Sequence, residues 1–266
     1  MTLTAAQLTA VKYYEGDVSG DDPFWGDAKA YVTLNSLFYP GIDTERRRAA
    51  EGKRLNPAIV ADPQRLVDLC VNLLSACYAA DLSRPRVAYR VERHADYLDM
   101  RKAGQTISFT STSTAGFLPA YGDRIGIALL EFRIPAGVPC LPFGEVLQGD
   151  YAKSNEQEIM LPPGLTLTFE DAPLKPEELA IVDAQSNPPI VKCRVLVEKP
   201  ESPAKASQPI SPEEPMDVAL SPDGPRATEC VYEALNSGDE PSAEDVECYC
   251  AWKRSFAARV ISTSLN

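Results

Sequence analysis

Glu156-Gln157-Glu158-Ile159-Met160-Leu161-Pro162-Pro163-Gly164 is the stretch on which the fold turns. It opens with two carboxylates and continues into three apolar residues. It then closes on a Pro-Pro-Gly turn, where the strand must stop. Read as the start of a strand, it puts Glu156 and Glu158 on the same side, because successive side chains alternate. Two like charges at that spacing repel, and placing both in a cleft raises the cost of ionising them. Folding gains nothing evident from this, so the pair is either a solvated acidic turn of an acidic chain or a site that uses carboxylates.

Two segments further back share this character. In Ile107–Ser113, residues Ile107, Phe109, Ser111 and Ser113 fall on one face, which begins apolar and ends in hydroxyls. That pattern fits a strand leaving the core for a polar pocket, or an ordinary edge strand rich in Thr and Ser. In Arg86–Glu92 an extended chain sets Val87, Tyr89 and Val91 on one face and Ala88, Arg90 and Glu92 on the other. An arginine among such β-formers lies on a sheet surface, or it faces a cleft where its fork can grip a phosphate.

Tyr89-Arg90, then Phe109-Thr110-Ser111-Thr112-Ser113, then Glu156-Gln157-Glu158 with its apolar strand and Leu-Pro-Pro-Gly turn: in order and spacing this set resembles the arginine–serine–glutamate class of mono-ADP-ribosyltransferases, which includes many bacterial ADP-ribosylating toxins and effectors. The resemblance covers about residues 10 to 170. It implies an α+β fold with a split NAD-binding core of two packed β-sheets and an N-terminal helical lobe, and an enzyme that moves ADP-ribose from NAD to a side chain of a target protein. Arg90 would then bind the diphosphate, Ser111 would be the pocket serine, Glu158 the catalytic glutamate, and Glu156 the glutamate used for transfer to an acceptor, arginine by default. Thr112 and Ser113 would flank the cofactor. Many members follow the motif arginine with glycine, whose backbone holds the nicotinamide amide; Val91 stands there in this chain. Thr114–Asp123 would be the loop over phosphate and nicotinamide, with Phe117 and Tyr121 as stacking residues and Arg124 as a second phosphate contact. The loop at about Gln148–Asn155 would face the protein substrate through Tyr151. Other outcomes of the same motif are transfer to a threonine or serine hydroxyl of a host protein such as ubiquitin, NAD hydrolysis, and a non-catalytic interaction module. The chemistry suits these residue types. Breaking the nicotinamide–ribose bond builds positive charge on the ribose, which a carboxylate stabilises, while an arginine on the diphosphate fixes the remainder of the molecule.

Composition sets limits. With 266 residues the chain can hold one sizeable domain and an appendage. A net charge of −12 argues against nucleic acid as a partner. No stretch is long and apolar enough to span a membrane. Met1-Thr2-Leu3-Thr4-Ala5 lacks the basic start and apolar run of a secretory signal. For a chain that resembles these toxins, the resemblance implies synthesis in a bacterial cytoplasm, specialised export and action in a host cytosol. The seven cysteines contain no Cys-x-x-Cys pair, as expected of free thiols in a reducing compartment. Cys248 and Cys250 have the wrong spacing for a zinc clip, and a single histidine, His94, leaves no histidine-rich metal site, so no metal is expected. No Gly-x-Gly-x-x-Gly is present, so NAD would not be held by a dinucleotide fingerprint.

Along the chain, residues 1–82 read as the helical lobe, with helices at Ala5–Tyr14 and Asp27–Phe38. A stronger one opens at Asp62-Pro63 and buries Leu66, Leu69, Cys70, Leu73, Leu74 and Cys77. Residues 83–198 read as the β core, with strands Val87–Val91, Thr106–Thr112, Ile125–Ile134, Gln157–Leu161, Leu165–Phe169, Leu179–Asp183 and Ile190–Val197. Helices first and strands afterwards point to α+β. Lys199–Pro225, with seven prolines in 27 residues, reads as a linker. Residues 226–266 read as a helical segment, one helix over Arg226–Leu235 and another opening at the capping box Ser242-Ala243-Glu244-Asp245. It either docks back on the domain or binds a partner.

Overall fold

The computed structural model describes residues 3–15, 30–80, 83–117, 126–146, 157–179, 190–200 and 220–264. The chain divides into two compact units, one of Thr4–Ser75 with Ile210–Asn266 and one of Met1–Leu3 with Ala76–Pro209. The division differs from the sequence reading at the end of the helical lobe, since the chain from Ala76 goes with the β unit, and at the tail. The C-terminal helices share a unit with the N-terminal helices instead of forming a separate segment.

The helical unit contains α1 (Ala5–Glu15), α2 (Ala30–Ser36), α3 (Asp43–Ala50), a 3₁₀ turn at Pro57–Val60, and most of α4 (Pro63–Ala79). Asp62 caps α4 by accepting from Arg65 N at 3.0 Å, and Pro63 takes the first helical position, where its missing N–H costs nothing. The predicted apolar stripe of this helix is buried throughout.

After residue 220 the chain adds α8 (Gly224–Ser237) and α9 (Ala243–Ser264). The capping box holds: Asp245 N donates to Ser242 Oγ at 3.0 Å, and that hydroxyl donates to Asp245 Oδ2 at 2.6 Å. Along α9, Tyr249, Trp252, Phe256 and Val260 recur at helical spacing and all four are fully buried. The indole of Trp252 stacks on Phe256, ring centres 5.5 Å apart. Asn236 and Leu55 exchange two hydrogen bonds, of 2.8 and 2.9 Å, which ties α8 to the segment before the 3₁₀ turn. The tail therefore builds the core of this unit.

Trp252 also explains the glycine that opens α8. A Cβ on Gly224 would lie 1.9 Å from Trp252 Cδ1. Gly224→Ala should force the indole aside and cost about 1–3 kcal/mol of stability. A thermal melt coinciding with wild type would show that the indole moves freely.

The β unit is a seven-stranded sheet of order β4-β5-β2-β1-β3-β7-β6. Its strands are β1 (Arg86–Arg93), β2 (Thr110–Ser113), β3 (Ile127–Ile134), β4 (Leu141–Pro142), β5 (Glu158–Leu161), β6 (Leu167–Asp171) and β7 (Ile190–Val197). Only the β3–β7 pairing is parallel. Helix α5 (His94–Ala103) follows β1 directly and ends at Gly104, which adopts a left-handed φ of 64°. It covers the sheet with Tyr97 and Met100 over a core that includes Ala88, Leu130, Phe132, Ile159, Leu161, Cys193 and Val195. Two single-turn helices, α6 (Phe143–Val146) and α7 (Pro176–Leu179), complete the unit.

The α+β class is as expected, and the sheet accounts for its split. β1 pairs with β3 over eight residues, from Arg86 opposite Ile134 to Arg93 opposite Ile127. Its pairing with β2 is one residue, Tyr89 opposite Ser113. The two sheets expected as separate layers are thus joined edge to edge at that pair, β4-β5-β2 on one side and β1-β3-β7-β6 on the other. The predicted strand Thr106–Thr112 is shorter, because Thr106 is occupied elsewhere. Its N–H donates to Leu165 O at 2.9 Å, its carbonyl accepts from Gly164 N at 2.7 Å, and its hydroxyl donates to Pro162 O at 2.7 Å. These bonds staple the Pro-Pro-Gly turn. Of the predicted strand Leu179–Asp183, Leu179 ends α7 and 180–183 lie outside the described residues.

Candidate functional site

The three motif segments lie side by side, because β2 runs between β5 and β1. The β2–β5 register sets Ser113 opposite Glu158 and Ser111 opposite Met160. Ser111 and Glu158 are therefore diagonal neighbours on one face, within reach of each other. The Ser111 hydroxyl donates to Glu158 Oε1. A bond of this kind, with an ionised acceptor, is among the strong ones, and it fixes a half-buried carboxylate at the first residue of β5.

The other hydroxyls of the run serve the backbone. Thr112 Oγ1 donates to Ile159 O at 2.8 Å, and Ser113 Oγ accepts from Ala115 N at 3.1 Å. Both residues are buried.

Arg90 lies just past the single β1–β2 pair, where the two strands part. Its Nη1 donates to the carbonyl oxygen of Ser111 at 2.6 Å. The guanidinium thus reaches across the opening to the same residue whose hydroxyl holds Glu158. Its Nε donates to Glu92 Oε2 at 2.5 Å, and Glu92 Oε1 accepts from Arg93 N at 3.0 Å. Burial alone would push the Glu92 carboxyl up, but the charge and hydrogen bond of Arg90, with the Arg93 N–H, outweigh it. The net position is below the usual carboxylate range.

Val91 sits in the ladder opposite Leu129, and its side chain packs on Ile127 and Leu129. Phe117 joins the same small cluster and meets Tyr89 edge to face, ring centres 4.9 Å apart. This contact carries the segment after β2 back over β1. Tyr121, Arg124, Tyr151 and Glu156 lie outside the described residues.

Gln157 corrects one step of the sequence reading. Its φ is 44°, the only positive value at a non-glycine among the described residues, and β5 begins at Glu158. Strand alternation therefore does not run through residue 157, and the same-side placement of Glu156 and Glu158 does not follow from it. A left-handed conformation costs roughly 1 kcal/mol at a residue with a Cβ. Thr114 holds it in place, with its N–H 3.2 Å and its hydroxyl 3.2 Å from Gln157 O, and the hydroxyl 3.0 Å from Gln157 Oε1. Strain of this kind gathers at functional sites.

Sequence reasoning missed Glu92, the Thr114–Gln157 clasp and α5. For Glu92 the signal was present, since a residue two positions after Arg90 shares its strand face. His94, read as structural or exposed, is half-buried and lies against Tyr97, ring centres 5.7 Å apart. Among the described residues no group of His, Cys, Asp or Glu could hold a metal ion, and no helix is long and apolar enough to cross a membrane.

No known protein-family description matches the sequence, and no curated protein does. Among solved structures, the chain is similar to the ADP-ribosylating toxin BECa of a binary enterotoxin of C. perfringens, a structure with NADH. The identity is 15% over 73% of this chain and 44% of that one, with a TM-score of 0.43. It is similar to Vis toxin, an ADP-ribosyltransferase from Vibrio splendidus, at 16% identity over 74% of this chain and 75% of that one, TM-score 0.40. It is also similar to the Clostridium limosum C3 exoenzyme, at 12% identity over 74% and 86%, TM-score 0.42. The chain spans less than half the length of BECa.

Proposed function

We propose that this chain is a mono-ADP-ribosyltransferase that uses NAD as substrate and modifies a side chain of a target protein. The observation that carries the proposal is the convergence on Ser111. Its hydroxyl holds Glu158, and its carbonyl holds the guanidinium of Arg90. One strand residue thus sets a carboxylate and a phosphate-gripping fork on the two sides of a sheet junction. NAD offers the matching pair, a diphosphate and a ribose that becomes positive at C1′ as nicotinamide leaves. In the step, the bond from C1′ to the nicotinamide nitrogen breaks and nicotinamide departs neutral. The acceptor then bonds to C1′ and gives up a proton.

In this scheme Arg90 grips the diphosphate, Glu158 stabilises the charged ribose, and Ser111 orients Glu158. Glu156 takes the proton from the acceptor, and that acceptor is arginine. Phe117, Tyr121 and Arg124 close over the cofactor, and Tyr151 meets the target. No metal takes part. The proposal extends to a bacterial toxin or effector exported by a specialised route and acting on a host protein.

Incubation with labelled NAD and a host-cell lysate, followed by mass spectrometry of the labelled residue, tests it. ADP-ribose on arginine is the expected result. Nicotinamide release without protein label would make the chain a hydrolase, and neither signal would remove the proposal. Arg90→Lys should weaken NAD binding about tenfold or more, because a point charge does not reproduce the planar fork. Calorimetry showing unchanged affinity in the folded variant would take Arg90 out of the site.

A further inference from the structure

We infer that Glu92 is the positioning residue for Arg90: its buried carboxylate holds the guanidinium in the orientation that meets a diphosphate. The inference rests on the reading of Arg90 as the diphosphate clamp.

Glu92 stands two residues after Arg90 in β1, on the same strand face. It is 5% exposed, and both of its oxygens are occupied. Oε2 accepts from Arg90 Nε and Oε1 from the backbone N–H of Arg93. The second bond matters as much as the first, because it fixes the carboxylate to the strand. A guanidinium bound to that carboxylate is then fixed to the strand as well. Opposite Glu92 in β3 stands Ala128, fully buried, whose short side chain leaves room for a carboxylate at the sheet surface. The neighbouring Arg93 side chain is directed to Asp96, with Nε 2.8 Å from Oδ2, so it pairs with a carboxylate of its own.

Folding has little to gain from the Arg90–Glu92 pair. Taking a carboxylate out of water offsets most of what the ion pair returns, and an apolar pair of similar size would serve the core as well. What the pair does supply is orientation. Arginine carries five donors in a planar fork. With Nε directed to Glu92 and Nη1 to the Ser111 carbonyl, two edges of the plane are set by the protein. A long side chain that must otherwise be ordered by its ligand is ordered beforehand, and this raises affinity without adding a contact.

The test compares Glu92→Gln and Glu92→Ala with wild type in the full chain, using NAD and nicotinamide as probes. Glu92→Gln should raise KM and the calorimetric Kd for NAD roughly tenfold or more, as expected for the loss of a bond between charged groups. It should leave kcat within about threefold, because Glu92 touches no reacting atom. Inhibition by nicotinamide, which lacks the diphosphate, should be unmoved. On an Arg90→Ala background Glu92→Gln should add no further loss of NAD affinity, since its effect passes through Arg90. If Glu92→Ala fails to fold, the near-isosteric Gln variant decides. NAD affinity unchanged in Glu92→Gln but weakened in Arg90→Lys would overturn the positioning role and leave the clamp standing. NAD affinity unchanged in Arg90→Lys would instead overturn the clamp, and this inference with it. Equal losses for NAD and nicotinamide would make Glu92 a purely structural residue.

Discussion

Glu158→Gln is expected to abolish nicotinamide release and protein labelling together. The substitution keeps the size of the side chain and leaves an oxygen to accept from the Ser111 hydroxyl, so the local geometry survives. It removes the negative charge. That charge matters only as the ribose becomes positive, so the loss falls on the transition state and not on NAD binding. For one preorganised electrostatic partner the loss is about 3–4 kcal/mol, or roughly 10²–10³ in rate. Unchanged calorimetric affinity for NAD with turnover at background is the expected combination. Glu156→Gln run in parallel should lose protein labelling and keep much of the NAD hydrolysis, because its proposed task is the acceptor's proton. Labelling by Glu156→Gln equal to wild type would remove the acceptor role. Continued NAD turnover by Glu158→Gln would remove this segment from the active site.

Lys253→Met should have the largest effect on stability. Lys253 and Glu45 form an ion pair at 2.6 Å whose side chains are 3% and 0% exposed. Glu45 Oε1 also accepts from Tyr249 OH at 2.7 Å, and Lys253 Nζ also donates to Gly41 O at 2.8 Å. The Tyr249 hydroxyl in turn contacts Tyr232 OH at 3.0 Å. Burial, with the negative charge of Glu45, pushes both phenols well above their ordinary range. Removing the lysine strands a carboxylate in a dry interior, and Glu45 Oε2 already has no hydrogen-bond partner among the described residues. Breaking such a pair from one side costs about 3–5 kcal/mol. Adding Glu45→Gln should recover part of the loss, because the unpaired charge disappears with it. Urea unfolding followed by far-ultraviolet circular dichroism measures both. A single variant as stable as wild type would show that the pair is solvated.

Much of the architecture was legible where one residue type dictates one local geometry. Asp62-Pro63 marked the start of α4, and Ser242 with Asp245 marked that of α9, because a cap needs a side-chain oxygen at a set position. The stripe from Leu66 to Cys77 is periodic enough to show which face is buried. Strands β1, β3 and β7 stood out as runs of β-formers. Helix α5 did not, since its sequence offers only Tyr97 and Met100 to the core and exposes Leu98.

The α+β class and the order of the candidate site's residues could be read along the chain, because strand alternation, helix periodicity and turn chemistry are local. Arg90, Ser111 and Glu158 were named from the resemblance of three segments taken together, since each segment alone also fits an ordinary surface strand or turn. What each of them touches emerged with the folded chain. That the Ser111 hydroxyl holds Glu158 depends on the register of β2 against β5, which no single strand encodes. That Arg90 reaches the Ser111 carbonyl depends on how β1 and β2 lie side by side around their single pair. That the tail belongs with the N-terminal helices depends on Asn236 meeting Leu55, Lys253 meeting Glu45 and Phe256 meeting Phe38, residues far away in the chain. These are long-range pairings, decided by which apolar surfaces meet and which polar groups must then find partners, and a residue's neighbours in sequence carry little of that information.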